Sequence, residues 1–330
     1  MFISVNPSVE GTSPVPPTAN PRHLDGLLFF PVTAFDASGR FVPGAYREHV
    51  EARLAEGPGA VFAACGTGEF PALAPAEYEL VVGTAVEAAS SAASAADGQR
   101  VPVIGGSGYG TALALEYARA AERAGADGLL VLPPYSADGG QDGLVRHYTT
   151  LAEATPSLDL ILYQRDTTVF APETVAELSQ VPNIIGFKDG RGDLDLVLRI
   201  VSAVRTAGSS EFLFFNGMPT AEMTQLAYRA VGVPLYSSAV FCFAPDLALA
   251  FHAALEKGDR KTVETLIDVF FRPYVELRSS RPGYAVSLVK ALTRASGHEV
   301  GAVRAPLTEP APAHVAEALA LIGRAREALA

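Results

Sequence analysis

The sequence predicts an α/β protein, a (β/α)8 TIM barrel with a C-terminal helical appendix. Three observations predict it. Eight short apolar runs recur along the chain, near-continuous rather than alternating, as parallel strands buried on both faces require. Stretches of helical period lie between them. The rival, a doubly wound open sheet, usually places a glycine-rich fingerprint after its first strand. Here the first run leads into PVTAFDASGRF, and GGSGYG (105–110) comes only after the third.

The strand candidates, in order, are GLLFFPV (26–32), AVFAAC (60–65), VPVIGG (101–106), DGLLVLP (127–133), LDLILYQ (158–164), IIGFKD (184–189), EFLFFNG (211–217) and VPLYSSA (233–239). The clearest helical stretches between them are 75–89 and 112–125, the second ending at Gly125, a good C-cap. Residues 174–180 and 193–205 follow the same logic, and 247–258 closes the barrel. Three further helical stretches, 261–279, 282–297 and 312–330, form the appendix, with no low-complexity linker before them. The division expected is a flexible arm over 1–22, a barrel over 23–258 and a packed helical region over 259–330. The arm is rich in Pro, Ser and Thr and lacks the basic and apolar regions of a signal peptide.

Composition narrows the function. The 330 residues are 49% hydrophobic and 18% charged, with a net charge of −11, so no basic stripe is available for nucleic acid. No apolar run reaches the ~20 residues of a membrane span. Cys65 and Cys242 lie in apolar runs and make no disulfide framework; free thiols in a reducing cytoplasm are expected. The six histidines are scattered, without metal-ligand spacing, so neither metal nor cofactor is expected.

A (β/α)8 barrel builds its active site at the C-terminal strand ends. Lys188 ends the sixth run, while the other lysines, Lys257, Lys261 and Lys290, fall on late helices. Desolvation there would favour the neutral, nucleophilic amine, a role arginine cannot fill. The alternative is a snorkelling lysine, or one paired with Asp189. Tyr163 ends the preceding strand, where its phenol could shuttle protons beside the amine, or be a core aromatic. The loop ACGTGEF (64–70) offers Gly66, Thr67 and Gly68 as an anion nest for a carboxylate, or a tight turn with Thr67 as a helix cap. Glu69 is read as ordering that loop. Arg165, Asn216, Ser237 and Ser238 complete the candidate mouth, although Arg165 could simply pair with Asp166 or Asp189.

With these residues in place, the chain resembles the Schiff-base lyase superfamily of dihydrodipicolinate synthase and N-acetylneuraminate lyase. GTGEF, Y-x-R-D and GFKDG carry the likeness. FPVTAFD (30–36), GYGT (108–111), GFKDGRGD (186–193), MPTAE (218–222), VPLYSSAVF (233–241) and SRPGYAVSLVK (280–290) resemble its 5-dehydro-4-deoxyglucarate dehydratase branch, over about residues 24–325.

The resemblance implies a cytoplasmic homo-oligomer, tetramer or dimer, acting on a small sugar diacid. Lys188 would form the Schiff base, Tyr163 would be its acid/base neighbour, and Gly66, Thr67 and Gly68 would hold the carboxylate beside the ketone. The implied reaction is a decarboxylating dehydration of 5-dehydro-4-deoxyglucarate to 2,5-dioxopentanoate. The alternative is retro-aldol cleavage of a related 2-keto-3-deoxy sugar acid. Some positions depart from the family pattern. Cys65 and Asn216 stand where glycine is expected, and Gln164 where asparagine is. Gly66 replaces a threonine, and Ser136 follows Tyr135, which departs from the synthase members' tyrosine–threonine–tyrosine relay.

Overall fold

The eight apolar runs become eight parallel strands: β1 (Leu28–Phe29), β2 (Ala60–Ala63), β3 (Val103–Ser107), β4 (Gly128–Val131), β5 (Asp159–Gln164), β6 (Ile184–Asp189), β7 (Leu213–Asn216) and β8 (Leu235–Ser238). Each pairs with the next, and β8 pairs with β1, so the sheet closes into a barrel. This computed structural model describes residues 20–95, 98–134 and 139–330. Most of the expected arm, and Tyr135 and Ser136, lie outside the described residues. The end of the arm is anchored at the barrel base, where Arg22 meets Asp159 at 2.8 Å.

Helices α1 (Pro43–Leu54), α2 (Pro75–Ala95), α3 (Thr111–Arg123), α4 (Gln141–Ala154), α5 (Pro172–Leu178), α6 (Leu194–Thr206), α7 (Gln225–Ala230) and α8 (Pro245–Lys257) follow the strands in turn. Helices α1, α4 and α7 lie outside the predicted helical stretches. In α1 the buried face is Tyr46, His49, Val50, Arg53 and Leu54. The spacing is helical, but two of the five are basic, so no apolar stripe shows. α7 spans six residues, too few for a period to emerge.

The appendix holds α9 (Arg260–Leu266), α10 (Arg272–Ser279), α11 (Tyr284–Ala295) and α12 (Pro312–Leu329). The expected continuous helix over 261–279 is interrupted by a π turn at Ile267–Phe271. Pro273 explains the break, because it has no N–H for the carbonyl four residues back.

Polar ties bind this region to the barrel mouth. The Phe35 amide donates to the Val300 carbonyl at 3.0 Å. A Cβ at Gly301 would sit 1.7 Å from the Phe35 carbonyl oxygen, so only glycine fits there. Arg326 meets Asp246 at 2.7 Å. The deepest tie joins Lys290 of α11 to Glu69 of the β2 loop at 2.7 Å, with both side chains fully buried.

Candidate active site

Strand register sorts the candidate residues. Tyr163 lies beside Lys188 and Gln164 beside Asp189 in the β5–β6 pair. Residues paired across strands share a face and consecutive residues on a strand face opposite sides, so only one of these two pairs can point into the barrel. Tyr163, Lys188 and Ser237 point in and line a cavity of about 430 Å³. Gln164, Asp189 and Ser238 point out, into the helical layer.

The outward residues form a buried polar belt. Gln164 donates to Asp189 at 2.8 Å and accepts from the Phe170 amide at 2.9 Å. Asp189 also accepts from the Gly192 amide at 3.0 Å and from the Tyr228 hydroxyl. Asp189 is therefore engaged elsewhere and is not the partner of Lys188.

Two expected substrate contacts are corrected by the same alternation. Asn216 is fully buried and donates to Thr224 and Gln225, each at 3.0 Å. Ser238 is fully buried and donates to Glu222. Neither lines the cavity: Ser238 follows the inward-facing Ser237 by one residue, and Asn216 pairs beside the outward-facing Asp189. The supposed departure at Asn216 also dissolves. Gly217 begins the G-x-P-T-A-E segment (217–222), and a Cβ there would lie 2.8 Å from the Lys188 side chain.

Lys188 reaches the cavity through an apolar collar. Its Nζ stands 4.0 Å from the centre of the Phe30 ring and 5.3 Å from that of Tyr163. Its hydrogen bond goes to the Ser237 hydroxyl, at 3.2 Å. Burial among these groups pulls the ammonium down to about 7, with Arg165 pushing the same way and Cys65 opposing. The neutral amine is thus well populated at neutral pH. The Tyr163 phenol donates to the Gly217 carbonyl at 3.3 Å. Burial raises its pKa, Arg165 opposing through charge and a hydrogen bond, so it stays protonated and can give a proton.

A pH profile follows. Capture of pyruvate by Lys188, trapped with borohydride, should fall about tenfold per pH unit below the amine's pKa, which lies near 7. It should level off above that pH. A profile still rising steeply from pH 8 to 10 would show that the amine is not desolvated.

The β2 loop brings Gly66 and Thr67 to the cavity wall. Gly68 lies behind them, its carbonyl accepting from the Thr33 hydroxyl at 2.7 Å. Glu69 orders the loop, as the sequence suggested. It adopts a left-handed backbone, φ 59°, and accepts from Lys290 and from the Arg304 amide at 2.8 Å. Cys65 is fully buried, and its thiol is pushed up to about 12 by that burial, so it is an inert packing residue. Arg165 lines the cavity, 3.5 Å from Asp166. Among the described residues, no three His, Cys, Asp or Glu side chains gather so as to hold a metal.

Part of the wall is built from residues outside the predicted set. Phe30 lies in the FPVTAFD segment, one residue past Phe29, which pairs with the outward-facing Ser238, so alternation makes Phe30 inward only once that register is known. Tyr274 and Arg278 of α10 also line the cavity. Their i, i+4 spacing was visible, but nothing local says that the appendix folds back over the mouth.

Comparison with known proteins agrees with this geometry. Residues 23–323 match the Dihydrodipicolinate synthetase family. A Streptomyces avermitilis protein described as "Probable 5-dehydro-4-deoxyglucarate dehydratase 1" is 58% identical over 299 residues, covering 91% of this chain and 93% of that one. A Streptomyces griseus protein described as "Probable 5-dehydro-4-deoxyglucarate dehydratase" is 56% identical and covers 96% of each chain. Among solved structures, a chloride-inhibited dihydrodipicolinate synthase from Acinetobacter baumannii, complexed with pyruvate, superposes with a TM-score of 0.77 at 25% identity. It covers 92% of this chain and all of that one.

Proposed function

The chain belongs to the dihydrodipicolinate synthetase family, and from that premise we propose that it converts 5-dehydro-4-deoxyglucarate to 2,5-dioxopentanoate, CO2 and water through an imine on Lys188. The observation that carries the reading is the buried Lys188 amine. It sits at a strand end, on a cavity wall, with the Tyr163 ring 5.3 Å away. Relatives at 56–58% identity described as probable dehydratases for this substrate select it among sugar acids.

The chemistry follows from the geometry. The neutral amine attacks the ketone, and the resulting hydroxyl leaves as water with a proton from Tyr163. The iminium then draws electrons from the adjacent CH2, whose proton returns to the phenolate. The enamine expels the next hydroxyl, which Tyr163 protonates in turn. The double bond now joins the iminium to the far end of the chain. The distal carboxylate leaves as CO2, its electron pair flowing into the iminium. Reprotonation and hydrolysis free the lysine and release the aldehyde. Gly66 and Thr67 hold the proximal carboxylate, and Ser237 and Arg165 face the hydroxylated part.

Incubation with 5-dehydro-4-deoxyglucarate tests the reading. Equimolar CO2 and 2,5-dioxopentanoate are expected; pyruvate without CO2 would make the protein a retro-aldol lyase instead. Tyr163→Phe should lower kcat by about 10²–10⁴-fold, while borohydride still labels Lys188 slowly. An unchanged kcat would remove the phenol from the mechanism.

Assembly and location belong to the same reading. No helix among the described residues is long and apolar enough to cross a membrane, and both cysteines are free and buried, as a reducing cytoplasm favours. A homo-oligomer is expected, and sedimentation gives its subunit number.

A further inference from the structure

The cavity has a cation that the reaction as drawn does not use. Arg278 and Tyr274 lie one turn apart on α10, and both reach the cavity. Four other charged side chains line it: Lys188, Arg165, Asp166 and Glu69. Glu69 is taken by Lys290 at 2.7 Å, and Asp166 lies 3.5 Å from Arg165. Lys188 is poised to be neutral.

Arg278 is left without a carboxylate partner among the described residues. Its Nε is buried and unpartnered, and its Nη2 makes a long 3.4 Å contact to the adjacent Ser279 hydroxyl. The Tyr274 hydroxyl is likewise buried without a partner. Glu222, the nearby buried acid, bears on Arg278 through its charge but makes no ion pair with it; it is hydrogen-bonded by Ser238 through one oxygen, leaves the other buried without a partner, and does not line the cavity. A cation in the last turn of α10 suits the helix dipole, but that would be served equally by a side chain in solvent. Desolvating a guanidinium near a second one costs free energy unless an anion compensates it. The chain as a whole carries −11, so this local positive excess is not a general property of its surface.

We propose that Arg278, assisted by the Tyr274 hydroxyl and by Arg165, reads the second carboxylate of the substrate and makes the site select 2-oxo diacids over 2-oxo monoacids. The inference rests on the proposed imine at Lys188, which fixes where the ketone end lies. It adds a specificity residue supplied by the helical appendix. The appendix is then part of the substrate site, and substrate length is measured from Lys188 on the barrel to α10 above it. The guanidinium also holds the distal carboxylate ionised, the form that can lose CO2.

The test uses two keto acids that cannot undergo the dehydration. 2-Oxoadipate has six carbons and two carboxylates; 2-oxohexanoate has six carbons and one. Each is titrated against the full-length protein, and the imine on Lys188 is trapped with borohydride and measured by mass. The wild type should be half-labelled at an about 10–100-fold lower concentration of the diacid. Arg278→Met should abolish that preference while still capturing 2-oxohexanoate, and Arg278→Lys should keep part of it. Equal capture of both acids by the wild type, or a diacid preference that survives in Arg278→Met, would overturn the proposal. So would parallel loss of both acids in Arg278→Met and Arg278→Lys, since the residue would then be structural. These outcomes do not depend on turnover. A protein that prefers 2-oxoadipate but releases no CO2 from 5-dehydro-4-deoxyglucarate would fail the dehydratase reading and keep this one.

Discussion

Lys188→Met should lower kcat by roughly 10⁴-fold or more, because no other amine among the described residues lines the cavity to form the covalent adduct. Lys188→Arg should do the same, since a guanidinium stays protonated and cannot attack a carbonyl. The stability effect should run the other way. The amine is held between Phe30 at 4.0 Å and Tyr163 at 5.3 Å, and its pKa is depressed from 10.5 to about 7 by burial. A depressed lysine pKa means the fold resists the charged form, at a cost on the order of a few kcal/mol. Methionine fills the same space without that cost, so Lys188→Met should melt at or above the wild-type temperature. Activity and stability should therefore separate. A variant that lost both together would show Lys188 to be a structural residue, and one that still turned over substrate would remove the imine from the mechanism.

That separation bears on what could be read from the sequence. The barrel was legible because parallel strands buried on both faces leave uninterrupted apolar runs; seven of the eight observed strands fall inside those runs, and β3 passes the end of its run by one residue, Ser107. Lys188 was legible because a lysine at the end of such a run contradicts its surroundings. The inward or outward sense of residues at strand ends was harder. Ser237 and Ser238 look alike as a dipeptide, yet one hydrogen-bonds Lys188 and the other Glu222. Period-two alternation from Lys188 and Tyr163 would have separated them, had the register between strands been known. The contribution of α10 was not legible at all. Tyr274 and Arg278 reach the cavity only because a segment more than a hundred residues from Tyr163 in sequence folds over the mouth, and no local pattern encodes that return. The α1 helix failed differently, since His49 and Arg53 occupy positions on its buried face where the periodic signal needs apolar side chains.

The same return makes the buried Glu69–Lys290 pair the point where fold and site are coupled. Lys290→Met should destabilise the protein by about 3–5 kcal/mol, because it strands a carboxylate in a fully desolvated position. The burial is complete on both sides, and the Lys290 ammonium also lies 4.1 Å from the Phe35 ring, so water cannot replace the lost partner cheaply. Glu69→Gln combined with Lys290→Met removes both charges. It still leaves a side-chain oxygen for the Arg304 amide, which Glu69 holds at 2.8 Å in the wild type. The double variant should therefore recover most of the stability lost in Lys290→Met, which denaturant titration of the three proteins would measure. Function should follow the same order. Glu69 adopts a left-handed backbone directly after Gly66, Thr67 and Gly68, so slack at Glu69 loosens the loop that is to hold the proximal carboxylate. Half-labelling of Lys188 by pyruvate should shift to higher concentration in Lys290→Met and return toward wild type in the double variant. If Lys290→Met unfolds within about 1 kcal/mol of wild type, the pair is not the tie between appendix and barrel. If stability falls but pyruvate capture does not, the β2 loop is ordered by other contacts.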